Sequence, residues 1–94
     1  LRNIDAFLEP YADSVELYIF PDRLIGKGKA QMRNNYEMMF IQFKDLHCEV
    51  TKRMVQGNTI IDHESVTGIS PNLLKAVAIY KIENNKIAKV YFIQ

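Results

Sequence analysis

Gly57-Asn58-Thr59-Ile60-Ile61-Asp62-His63-Glu64-Ser65-Val66-Thr67-Gly68 is the stretch on which the reading of this chain turns. Its glycine-asparagine head is a two-residue hairpin turn. The run behind it is rich in β-branched residues, as a strand requires. Asp62, His63 and Glu64 sit in the middle of that run. Unpaired charge is expensive to bury, so three ionisable groups in a buried strand mark a polar purpose in the interior.

Working outward, the hairpin partner is His47 to Gln56. A two-residue turn sets Gln56 against Thr59, Val55 against Ile60 and Arg53 against Asp62, and opposed residues point to one side. One face then carries Thr51, Arg53, Val55, Ile60, Asp62 and Glu64. The other carries Cys48, Val50, Lys52, Met54, Ile61, His63 and Ser65. A one-residue bulge would exchange the two sets beyond it. After Ser70-Pro71-Asn72 a second pair follows, Leu73 to Ile82 and Ile87 to Ile93. Its turn is Glu83-Asn84-Asn85-Lys86, where Asn85 tolerates positive φ. Ala76 and Ala78 alternate with full-sized Val77 and Ile79. Small inward side chains at these positions leave room for a ligand.

Upstream, Asn3 can cap a short helix in which Ile4, Phe7, Leu8 and Tyr11 recur at helical spacing, with Pro10 to kink or stop it. Val15 to Phe20 alternates as a strand, with Leu17 and Ile19 on one face, and Pro21-Asp22 ends it. Gly26-Lys27-Gly28-Lys29 lacks the spacing and terminal Lys-Ser/Thr of a phosphate loop, and reads as a flexible lead into a helix. That helix runs from about Lys29 to Phe43, with Met32, Tyr36, Met39, Phe40 and Phe43 in one stripe. Such a stripe packs a core, and Tyr36 within it needs a hydrogen-bond partner. The order predicts an α+β domain, with helices on one face of a curved antiparallel sheet.

Ninety-four residues, 48% of them apolar and 24% charged, make one small soluble domain. The net charge is +1 with no basic cluster, so no nucleic-acid partner is expected. No apolar run approaches the roughly 20 residues that cross a bilayer, and no signal peptide is visible. Cys48 is the one cysteine, which excludes an internal disulfide and fits a reducing, cytoplasmic setting. The chain opens at Leu1 without an initiator Met, so an N-terminally trimmed domain is expected.

Three placements of the acidic strand are open. Arg53 and Asp62 could form a solvent-facing pair worth about 0–1 kcal/mol. Asp62 and Glu64 could instead line a cavity beside Arg53, or His63 could point inward. In a cavity, repulsion and lost hydration raise carboxyl pKa values while a guanidinium lowers them, which suits one group as base and its neighbour as acid. Asp62, Glu64 and His63 are therefore the catalytic candidates. No metal or other cofactor is expected: one strand cannot turn all three side chains to one side, and His47-Cys48 adds no ligand spacing. Cys48 itself reads as a small apolar core residue.

Asn3-Ile4-Asp5-Ala6-Phe7 through Tyr11-Ala12-Asp13, the Pro21 to Gly28 loop and Gly28-x-x-Gln31-Met32 resemble the nuclear-transport-factor-2-like superfamily. So do Gly57-Asn58, Val66-Thr67-Gly68 and the final paired strands, and the likeness narrows to the SnoaL-like and ketosteroid-isomerase-like branch. The resemblance implies a single SnoaL-like domain over residues 1–94, a cystatin-like cone whose sheet wraps around helices. It also implies a long N-terminal helix that this sequence does not contain. The isomerase's base aspartate falls at Ile19 and its protonated aspartate at Ala78, so both carboxylates are missing. Two pocket tyrosines fall at Tyr11 and Tyr36. The implied cavity face is Ile60, Asp62, Glu64, Ala76 and Ala78, continued by Val90 and Phe92, with Phe40 facing it from the helix. The expected function is binding of a small hydrophobic molecule, with cofactor-free proton-transfer or water-activation chemistry of isomerase, cyclase or hydrolase type. The alternative is a non-catalytic ligand-binding or dimerisation domain. A homodimer through paired sheets is implied, and Tyr91 and Ile93 supply apolar groups on the second face.

Overall fold

A short helix survives only if its first amides find acceptors, and Asn3 supplies one: its Oδ1 accepts the Ala6 amide at 3.1 Å. In the computed structural model, which describes residues 3–93, that cap opens α1 (Ile4–Leu8). It is followed by β1 (Tyr11–Ile19), β2 (Arg23–Lys27), α2 (Lys29–Gln42), β3 (His47–Gln56), β4 (Thr59–Thr67), β5 (Leu74–Glu83) and β6 (Lys86–Ile93). The strands form one six-stranded sheet in the order β2-β1-β6-β5-β4-β3. The four long C-terminal strands pair antiparallel. β1 lies parallel to β6 and joins the front of the chain to its end.

Two upstream expectations are corrected. Tyr11 does not continue α1; it begins β1, opposite Ile87. The polar Ala12-Asp13-Ser14 segment resembles a turn because the ladder is irregular between Tyr11 and Glu16. Gly26-Lys27 is not a flexible lead but the end of β2, which pairs with Glu16 and Leu17. β2 escapes sequence patterning because it is an edge strand whose Leu24 and Ile25 are both exposed. Gly28 then caps α2 at φ 91°, where a side chain would be strained.

The core lies between the helices and the concave face of the sheet. Leu8, Val15, Leu17, Met32, Ala78 and Val90 are buried there, with Tyr11 beside them. Alternation along β1, β5 and β6 turns Leu17, Ala78 and Val90 to one face of the sheet, and Leu8 and Met32 meet them from the helices. Of the α2 stripe, Met32 is fully buried and Tyr36 packs against the cluster. The hairpin turns obey local chemistry. Gly57 has φ 58°, and Asn84 and Asn85 have φ 52° and 64°, a pair of left-handed residues that twists with the strands. No helix among the described residues is long and apolar enough to cross a membrane.

Candidate functional site

The β3–β4 register is the expected one near the turn: Gln56 opposes Thr59, Val55 opposes Ile60 and Arg53 opposes Asp62. Farther along, Lys52 opposes His63 and Val50 opposes Glu64, so Thr51 is an extra residue. Its hydroxyl donates to the His63 carbonyl at 3.0 Å. This bulge moves Cys48 and Val50 onto the face of Asp62 and Glu64, correcting their assignment to the opposite face. Cys48 is also not a core residue; it is exposed, at the rim of a hollow.

Two hollows open on the concave face and share Tyr11 and Tyr80 between them. The larger, about 280 Å³, lies under the helices. Phe7, Tyr36, Met39 and Phe40 line it from the helical side. Glu64, Val66, Ala76 and Phe92 line it from the sheet, and Leu46 and Ile69 close its rim. The Phe7 ring lies 4.9 Å from Tyr36, 5.7 Å from Tyr11 and 5.8 Å from Phe40, an aromatic cluster on one wall. The smaller hollow, about 210 Å³, is lined by Arg53, Ile60, Asp62 and Ile87 besides the shared tyrosines.

The two carboxylates have different surroundings. Asp62 is 2% exposed. Arg53 donates to both of its oxygens, Nε to Oδ1 at 2.7 Å and Nη2 to Oδ2 at 2.9 Å. The guanidinium side chain is 57% exposed, so the pair reaches from the interior to water. It is therefore not the solvent-facing pair that cross-strand spacing allows. Glu64 is half-buried and turned into the aromatic hollow, where the Tyr80 hydroxyl donates to Oε2 at a long 3.4 Å. Burial raises the Glu64 carboxyl above its usual range, and the Asp62 charge adds to the rise. Contacts with Cys48 and Tyr80 and the charge of Arg53 oppose it. Burial pushes the Tyr36 phenol up to about 12, helped by the Glu64 charge. Burial also raises Tyr11 and Tyr80. All three phenols keep their protons at neutral pH and can donate hydrogen bonds. Partial loss of hydration at the rim and the neighbouring Glu64 push the Cys48 thiol up to about 11, so it is a thiol rather than a nucleophilic thiolate.

The structure brings together Glu64, Tyr11, Tyr36, Phe40, Ala76 and Phe92 at the larger hollow. Arg53, Ile60 and Asp62 gather at the smaller one. Ala78 and Val90 are packed in the core. Ile19 opposes Phe92 at the end of β1 and lines neither hollow. His63 alternates to the outer face with Lys52, Met54, Ile61 and Val77, away from both carboxylates. Sequence reasoning missed Tyr80, whose signal was present. Ala76, Ala78 and Tyr80 share one strand face, and alternation extends two residues past the second alanine.

No curated protein matches the sequence. Among solved structures, an uncharacterised cystatin-fold protein from Novosphingobium aromaticivorans superposes with a TM-score of 0.87 at 22% identity, covering 97% of this chain and 84% of that one. A candidate polyketide cyclase from Sinorhizobium meliloti follows at 0.80 and 16% identity, covering 96% and 81%. A hypothetical protein with a ketosteroid isomerase-like fold from Catenulispora acidiphila, solved in complex with trimethylamine, gives 0.79 at 12% identity, covering 98% and 75%. At these identities the likeness establishes the cystatin-like α+β cone. The SnoaL-like domain profile matches residues 2–90, and the chain belongs to that family.

Proposed function

We propose that the aromatic hollow binds a small, apolar, ring-shaped molecule and that Glu64 acts on it as a proton acceptor without a cofactor. The observation that carries this reading is a carboxylate with a raised pKa at the wall of an apolar cavity, within reach of protonated phenols. A general base works best with a pKa near the working pH, and burial moves Glu64 in that direction. Tyr36 and Tyr11 would donate hydrogen bonds to charge that develops on a substrate oxygen, while the Tyr80 hydroxyl stays on Glu64. The volume of about 280 Å³ falls just below the usual range of ligand sites, roughly 300 to 1,000 Å³. It suits a compact ring system. Asp62 contributes less to chemistry in this reading, because both of its oxygens are held by Arg53.

A non-catalytic binding role is favoured by one feature. With Asp62 tied to Arg53, Glu64 is the one carboxylate of the aromatic hollow among the described residues, with no second acid of its own kind beside it. The two roles separate in deuterium oxide. Ring ketones bound by the protein would exchange their acidic carbon-bound hydrogens for deuterium, followed by proton NMR, and Glu64→Gln would abolish the acceleration. Binding that raises the melting temperature, with exchange no faster than in buffer, would leave a ligand carrier. Cys48, an unpaired thiol at the rim, suits a reducing cytoplasmic setting.

A further inference from the structure

Among the described residues thirteen bound the aromatic hollow, and their charge balance is lopsided: one carboxylate, Glu64, and no lysine or arginine. The guanidinium nearest in sequence pairing, Arg53, spends its Nε and Nη2 on Asp62 at the other hollow. Opposite Glu64 stands a wall of aromatic rings, Phe7, Tyr36 and Phe40, with centroids 4.9–6.2 Å apart. Phe92 and Tyr80 complete the aromatic lining from the sheet. The faces of aromatic rings carry negative charge density and attract organic cations, most strongly where water is excluded. A carboxylate left without a cationic partner in the same enclosure adds a counter-charge.

We infer that the ligand class of this hollow is an organic ammonium ion, an apolar amine whose cationic head sits between Glu64 and the aromatic wall. This rests on the reading that the hollow binds a small molecule, and narrows it by charge. A neutral ring of the same shape leaves Glu64 partly desolvated and without a counter-charge. An ammonium head pairs with it and keeps the aromatic contacts. The phenols of Tyr11, Tyr36 and Tyr80 and the thiol of Cys48 face Glu64 from β1, α2, β5 and β3, and all are protonated and neutral near pH 7. Among the described residues, Asp62 and Arg53 are the charged groups that act on Glu64; they act in opposite directions and are paired with each other. The sign of the site is therefore set by Glu64.

The test compares two probes of one shape, para-hydroxyphenyltrimethylammonium and para-tert-butylphenol, by isothermal titration calorimetry on the intact chain. The cation should bind on the order of tenfold more tightly at neutral pH. This preference should shrink as pH falls and Glu64 takes up a proton. In Glu64→Gln the ratio of the two affinities should fall towards one. If that variant fails to fold, the pH series on the unaltered protein carries the test. Equal affinities, or a preference for the neutral probe, overturn the assignment and leave the hollow as an apolar binding site. A cation preference that survives Glu64→Gln and is flat with pH overturns Glu64 as the counter-charge. Binding of neither probe overturns the assignment and the small-molecule reading with it.

Discussion

Truncating Arg53 to alanine strands a carboxylate that is 2% exposed, and an unpaired buried charge destabilises the folded state. Because the guanidinium is itself 57% exposed, water can reach the vacated space, so the loss should be about 2 kcal/mol rather than the full penalty of a buried pair. Urea midpoints would measure it, and adding Asp62→Leu to Arg53→Ala should recover part of the loss. Glu64 behaves differently. Its carboxyl is raised in the folded state, so the native protein holds that proton more tightly than the unfolded chain does. Its favourable contribution is complete below the ordinary glutamate pKa and is lost as pH rises through the folded value. Glu64→Gln should therefore raise the melting temperature at pH 7 relative to the parent. The two proteins should converge near pH 4, where the parent carboxyl is protonated too. A gap of the same size at both pH values would mean that the substitution acts through packing.

At the scale of elements, two glycines with positive φ carry different duties. Gly57 at φ 58° has nothing within 4 Å of where a side chain would project, so Gly57→Ala meets only backbone strain. Gly68 at φ 92° lies against the α2–β3 connection, and an added methyl would overlap the Asp45 carbonyl and the Leu46 amide nitrogen. Gly68→Ala should cost about 2–4 kcal/mol, against about 1 kcal/mol for Gly57→Ala. For a domain of this size the first should lower the melting temperature by roughly 10 °C or more. Equal effects would mean that the β4–β5 loop does not hold the Asp45-Leu46 corner. That corner stands at the rim of the aromatic hollow, next to Leu46 and Ile69, so Gly68→Ala should also weaken ligand binding. The Thr51 bulge shows how an element decides a site: one inserted residue turns Cys48 towards Glu64.

For the whole molecule, the outer face of the sheet gathers apolar groups. Tyr18 and Tyr91 stack there at 4.8 Å with 16° between their planes. Met54 is 67% exposed on the same side, and Ile61, His63 and Val77 lie beside it. Apolar groups gathered on a surface are candidates for a contact site, and the homodimer that the family resemblance implies would bury them. Sedimentation velocity should show a dimer in the parent and a monomer in Tyr91→Asp, with both proteins retaining their far-ultraviolet dichroism. A parent that sediments as a monomer at high concentration would dispose of the dimer.

Much of this protein was legible in its residues because the deciding patterns are local. Asn3 capping, the α2 stripe, the Gly57-Asn58 register that sets Arg53 against Asp62, and the Asn84-Asn85 turn all act within a few residues. The family motifs, short as they are, point to the SnoaL-like cone that the profile match and the solved structures bear out. What tertiary structure alone decided is non-local. The parallel seam between β1 and β6 joins segments some seventy residues apart in sequence, so neither strand announces its partner. The Thr51 bulge carries no composition signal, yet it determines which side chains accompany Glu64. The division of labour between the carboxylates follows from the same cause. Asp62 and Glu64 are two residues apart on one face, and only the fold places one against Arg53 and the other among aromatic rings. Periodicity tells which side a residue faces, but only distance and burial in three dimensions set its electrostatic surroundings.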